Sequence, residues 1–97
     1  MIDSFPFYCY ITTNKNKTVL YCGVTNDIKA RLNEHYEQQG KQKTFAGRYN
    51  CHHLIYYEGF TSIVEAIRRE KEIKKWSRLK KELLIAKLNP DWNFFLE

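Results

Sequence analysis

Arg31 and His35 stand four apart in "TNDIKARLNEH", and Glu70 sits inside "IVEAIRREKEIKKW". If both stretches wind as helices, Arg31 and His35 share a face, because side chains at i and i+4 are neighbours. Wound at about 100° per residue, Ile63, Ala66, Ile67 and Ile73 fall on one arc of roughly 120°, with Glu70 near its middle. A carboxylate on the stripe meant for the core needs a partner or a purpose. Upstream, Tyr10 and Tyr21 lie in two adjacent β-prone runs, and Gly23 follows Tyr21 by two residues. A glycine leaving a strand lets another backbone, or a phosphate, come close. A carboxylate able to hold a metal ion, a cationic fork, two phenols and an imidazole together suit phosphodiester hydrolysis. Each residue also has a plainer use. Strand tyrosines pack with a hydrogen-bonded tip, Arg31 and His35 can form a surface pair, and Glu70 can pair with Arg31 or Lys74.

The elements that must position these groups can be read in order. "FYCYITTNKNKTVLYCGV" is a β-hairpin, with aromatic and β-branched residues around a polar tip at Asn14-Lys15-Asn16-Lys17. "TNDIKARLNEHYEQQG" is a helix, with Thr25 or Asn26 as its cap, Asp27 in its first turn, Ile28, Leu32 and His35 as its inner line, and Gly40 as its stop. Residues 40–50 form a polar, basic loop, and "HLIYYE" is a third strand. Ser62 and Glu65 fit a capping box for a helix running to about Lys75. A last helix from Ser77 to Leu88 carries Leu79, Leu83 and Ala86 on one side, and Asn89-Pro90 ends it. The aromatic tail "DWNFF" packs back on the body. The order ββαβαα predicts an α+β fold, a small three-stranded antiparallel sheet flanked by helices, as one domain over residues 1–97.

Bulk properties narrow the function. No apolar run approaches the roughly 18 residues of a membrane span, and no signal-peptide h-region opens the chain, so a cytoplasmic protein without membrane association is expected. Cys9, Cys22 and Cys51 are an odd number without paired spacing, which predicts reduced thiols. Cys51-His52-His53 are consecutive, and a strand would point the two histidines to opposite faces, which suits zinc poorly. Between Arg68 and Lys87 nine basic residues face three acidic ones, Glu70, Glu72 and Glu82, a local excess of +6 within a chain of net charge +5. Such a stretch attracts polyanions, nucleic acid first, through counterion release, although it also suits a solvated helical face.

Taken together, "YCYI" at 8–11 and "LYCGVTNDIKARLNEH" at 20–35 resemble the two halves of the GIY-YIG nuclease signature. The resemblance covers roughly residues 5–93 and is closest to the short, stand-alone bacterial branch, similar to the N-terminal catalytic module found in the excinuclease ABC system. It puts the signature tyrosines on Tyr10 and Tyr21, the signature glycine on Gly23, the helix arginine on Arg31 and its partner on His35. The branch's tyrosine after the loop falls on Tyr49, the metal-binding glutamate on Glu70, and an asparagine near the site on Asn89. Tyr8 replaces the first motif's glycine, Cys9 and Cys22 replace aliphatic residues, and Val24 stands where some members carry lysine.

The resemblance implies an endonuclease dependent on Mg2+ or Mn2+, with no other small-molecule cofactor, acting on DNA, in repair or recombination. On that reading Tyr10, with His35, takes the proton of the attacking water. Arg31 stabilises the transition state, and Tyr21 and Tyr49 complete the catalytic set. Glu70 is presented into a shallow pocket beside Tyr10 and Arg31 to bind the metal. Nucleic acid is held by Gly23, Arg68, Lys71, Lys74, Lys75, Arg78 and Asn89. A nucleic-acid-binding module with little cleavage, or an adaptor for an acidic protein, remains open on the sequence.

Overall fold

The computed structural model describes residues 4–37 and 49–96. Strand β1 (Phe7–Thr13) pairs antiparallel with β2 (Leu20–Thr25) on one side and with β3 (His53–Phe60) on the other, giving the order β2-β1-β3. The central strand is covered on both faces, and Tyr8 through Thr13 are all buried. This is why it reads as a nearly unbroken apolar run rather than an alternating one. The hairpin tip is organised by Asn14, whose side-chain oxygen accepts the backbone N–H groups of Thr18 at 2.8 Å and Val19 at 3.1 Å. Asparagine is suited to this because its amide mimics a backbone turn.

Helix α1 (Ile28–Glu37) crosses one face of the sheet. Its cap is Asp27, whose carboxylate accepts the Ala30 N–H at 3.1 Å, rather than the expected Thr25 or Asn26. The Thr25 hydroxyl instead accepts the Asp27 N–H at 3.1 Å, which fixes the residue that does the capping. Ile28 and His35 are buried and Leu32 half-buried, so the inner line lies where the sequence puts it. Gly40 and the loop ahead of Tyr49 lie outside the described residues. On this face Tyr8, Tyr10, Ile28 and Leu54 form one apolar cluster, packed by Tyr21, Leu32, Tyr57 and Phe95.

The other face carries Cys9, Ile11, Cys22, Ile55 and Tyr56 against Ile73 of α2 (Ile63–Lys74) and Leu84 and Ile85 of α3 (Arg78–Leu88). Cys9, Cys22 and Cys51 are free thiols. Helix α2 is rolled away from the expected arc. Ala66 and Ile73 are buried with Arg69 and Glu70 half-buried, a stripe at i, i+3, i+4 and i+7, while Ile63 and Ile67 are exposed. Arg69 sets the roll, because its guanidinium is tied to Glu58 of β3 at 3.0 Å and lies over the Trp76 ring. Ser62 occupies the cap position, but its side chain makes no capping hydrogen bond, so the capping box is not formed.

In α3 the Ser77 hydroxyl accepts the Lys80 N–H at 3.2 Å and caps the helix. The buried pair is Leu84 and Ile85, whereas Leu79, Leu83 and Ala86, expected to form an inner line, are exposed. Periodicity finds an apolar line; only the position of β3 decides which line is covered. The tail returns as expected, with the Phe95 N–H donating to the Leu54 carbonyl at 2.8 Å and Trp92 and Phe94 packed on the core. No helix among the described residues is long and apolar enough to cross a membrane.

Candidate active site

Tyr10 is the hub of a polar cluster between the sheet and α1. Its hydroxyl lies 2.9 Å from His35 Nε2, and the Arg31 Nε–H donates to the same oxygen at 3.3 Å. The arrangement that uses every group has the Tyr10 O–H donating to an unprotonated Nε2, which makes His35 the neutral Nδ1–H tautomer. The electrostatics agree. Burial, reinforced by the Arg31 charge, pushes the His35 pKa down from 6.5 to about 4. Burial also raises the Tyr10 phenol above its ordinary value, outweighing the Arg31 hydrogen bond. Both stay uncharged near neutrality.

Arg31 is the charged member. Burial alone would lower its pKa, but hydrogen bonds to Tyr10, Glu34 and Tyr21 raise it, so the cation is secure. Its Nη1 lies 2.7 Å from Glu34, and the side chain stays 36% exposed. The exposed part lines an open cavity of about 410 Å³ with Val24, Thr25 and Ile63. The Tyr21 ring meets His35 edge-to-face at 5.2 Å and tilts beside Tyr10 at 6.4 Å. Tyr21 is half-buried, whereas Tyr10 is 1% exposed and His35 2%. Of the three, Tyr21 is the group open to solvent, and Tyr10 and His35 lie behind it.

Glu70 lies across the edge strand from this cluster. It pairs with Lys74 at 3.4 Å and is 18% exposed. Ile63, Ile67, Glu70 and Lys74 follow at i, i+4, i+7 and i+11, one line along α2. The line's first residue shares the Arg31 cavity; its last shares a second cavity, of about 280 Å³, with Leu20, Tyr21, Cys22 and Lys81. Glu70 therefore sits between two openings that both border β2. Arg31 lines one of these openings and Lys74 and Lys81 the other, and both border the free edge of β2.

Residues 6–83 match the GIY-YIG catalytic domain. The chain belongs to the GIY-YIG family. It is 39% identical over 69 residues to a UPF0213 protein of Bacillus pumilus, covering 71% of this chain and 68% of that one. It is 41% identical over 66 residues to a UPF0213 protein of Staphylococcus aureus, covering 68% and 78%. The solution structure of the UPF0213 protein BH0048 from Bacillus halodurans shares 34% identity and a TM-score of 0.55, over 89% of this chain and 88% of that one. These relatives place the chain with short, stand-alone bacterial homologues, as the resemblance implies.

The GIY-YIG frame reassigns several residues expected to bind nucleic acid. Gly23 is buried opposite Tyr10, and the Tyr10 ring fills the space above it, so the glycine serves the phenol and not a phosphate. Asn89 is buried, its amide donating to the carbonyls of Ile55 at 2.9 Å and Asn93 at 2.8 Å and accepting the Asn93 N–H at 3.0 Å. It pins the tail to β3 and has no free polar atom for a ligand. Arg78 donates to the Lys17 and Thr18 carbonyls and pairs with Glu82, fastening α3 to the hairpin tip. Arg68, Lys71 and Lys75 are exposed on the outer side of α2, and Tyr49 is exposed where the chain approaches β3. Lys81 is the member sequence reasoning missed. It stands in the basic count as one cation among nine, and only the packing of α3 shows that it faces β2.

Among the described residues no group of three or more His, Cys, Asp or Glu side chains is arranged to hold a metal ion.

Proposed function

We propose that this GIY-YIG protein is a divalent-metal-dependent endonuclease that cleaves phosphodiester bonds in nucleic acid, DNA foremost. The observation that supports this best is the Arg31 guanidinium, clamped by Tyr10 and Glu34 yet partly exposed in the cavity beside β2. A preorganised cation facing an open cavity can stabilise the charge that builds on phosphoryl oxygens, at about 3–4 kcal/mol for a well-placed donor.

In this reading Tyr21, hydrogen-bonded to Arg31, first gives its phenolic proton to solvent, and the resulting phenolate oxygen accepts the proton of the attacking water as the water oxygen bonds to phosphorus and the leaving-group oxygen departs. Tyr10 and His35 work behind the reacting groups. Neutral and buried, they hold the guanidinium in one rotamer without competing for the substrate's charge. Glu70 would hold Mg2+ or Mn2+ together with the scissile phosphate, and the ion would supply Lewis-acid polarisation and a more acidic bound water. Arg68, Lys71 and Lys75 extend the attraction for the backbone over the outer face of α2, and a role in repair or recombination is consistent with such chemistry.

The test is a cleavage panel of single-stranded, duplex and branched DNA and RNA with Mg2+ or Mn2+, beside matched reactions containing chelator. Chelator-sensitive products from at least one substrate are expected. Salt-sensitive binding to the whole panel without any product would replace this reading with that of a binding module.

A further inference from the structure

Lys81 is half-buried, makes no ion pair among the described residues, and faces a cavity that already contains a second ammonium, Lys74. Glu70 is engaged with Lys74. Two ammonium groups lining one 280 Å³ cavity, one of them paired with Glu70, leave an excess of positive charge there, which attracts an anion. The lining of Leu20, Tyr21 and Cys22 is β2 itself, so the entering anion lies against the same strand edge as the Arg31 cavity.

The separation decides what the anion is. Tyr21 and Cys22 mark one cavity and Val24 and Thr25 the other, three residues along the strand. At about 3.3 Å per residue this is roughly 10 Å, more than one phosphate group spans. We infer that Lys81 and Lys74 form a subsite for a non-reacting phosphate of the same strand whose scissile phosphate lies at Arg31, so that the substrate is a polynucleotide laid along the edge of β2. This rests on the proposed nuclease reading and adds to it a substrate direction and a requirement for a flanking phosphate.

Cys22 also provides a reporter, because it lines the subsite whereas Cys9 and Cys51 are sealed in the core. A labelled oligodeoxynucleotide is titrated in chelator, so that no cleavage is needed, at several salt concentrations. Wild type is compared with Lys81→Met and with Lys87→Met, an exposed lysine on the same helix. The expected result is a loss of affinity of roughly fivefold or more in Lys81→Met, with the slope of log K against log salt shallower by about one unit. Lys87→Met should change affinity less than about twofold by the same reasoning. Bound oligonucleotide should also slow iodoacetamide labelling of Cys22 in wild type, and protect it less in Lys81→Met. Lys81→Met binding like wild type, with an unchanged salt slope, overturns the subsite and leaves the nuclease reading standing. Wild type that fails to bind at low salt overturns both.

Discussion

The phenol of Tyr10 lies over Gly23 so closely that a β-carbon built on that glycine would stand 2.6 Å from the hydroxyl oxygen and 2.7 Å from the ring carbon bearing it. The two residues face each other across β1 and β2, and the phenol is held from the far side by His35 and Arg31. It has nowhere to retreat. Gly23→Ala should therefore cost about 1–3 kcal/mol, the usual range for overpacking, measured by urea unfolding. It should also lower activity, because the displaced phenol releases Arg31. An alanine variant as stable as wild type would show that the packing is looser than described.

His35 gives the stability a defined pH dependence. Its folded pKa of about 4 lies below the unfolded 6.5, so in that interval the unfolded chain binds more protons and stability rises with pH. Stability is lost as pH falls from 6.5 toward 4, by up to about 3 kcal/mol, and this group contributes no slope above 6.5. His35→Gln, which keeps a polar partner for Tyr10, should unfold with a shallower pH profile over that window. Parallel profiles for the two proteins would contradict the buried neutral imidazole.

The two phenols should separate cleanly. Tyr10→Phe strands the Arg31 Nε–H and His35 Nε2 in a dry site and should destabilise by about 1–3 kcal/mol. Tyr21→Phe leaves the fold stability within about 0.5 kcal/mol, as expected for a partly exposed group, but should lower kcat by about 100-fold or more. Thermal melts and single-turnover cleavage on both variants check this. A Tyr21→Phe enzyme with full kcat would remove the proton-accepting role given to it.

Asn89→Ala should behave as a structural change. It strands the Ile55 carbonyl and frees the tail, at about 1–3 kcal/mol, and should open residues 90–96 to proteolysis. Affinity for DNA per folded molecule should be unchanged, and a selective loss of affinity would restore the binding role read from the sequence.

The sequence carried the order of elements and the clustering of Tyr10, Tyr21, Arg31 and His35, because hairpin alternation and the i, i+4 rule are local. It did not carry the covering of faces. Ile63 and Ile67 make as good an apolar arc as Ala66 and Ile73, and the choice was made by Arg69 reaching Glu58 on a strand eleven residues away. The same holds for Leu79 and Leu83, left outside because β3 meets Leu84 and Ile85. Glu70 was legible as half-buried, yet its place opposite Arg31 across β2 depends on that helix roll. Asn89 and Gly23 were legible as special positions, but motif resemblance alone could not separate a residue that touches the ligand from one that holds the frame.

If the two flanks of β2 act on one phosphodiester, Glu70 is the residue whose removal tells most. Its one ion pair is with the half-exposed Lys74 and the carboxylate is only half-buried, so Glu70→Ala should fold like wild type, with a melting temperature shifted by only a few degrees. Nicking of supercoiled plasmid in Mg2+ is then compared between the two proteins at equal concentration. Chelator-sensitive nicking by wild type is expected, with none above background by Glu70→Ala. Nicking by Glu70→Ala at the wild-type rate would contradict the shared use of the two flanks.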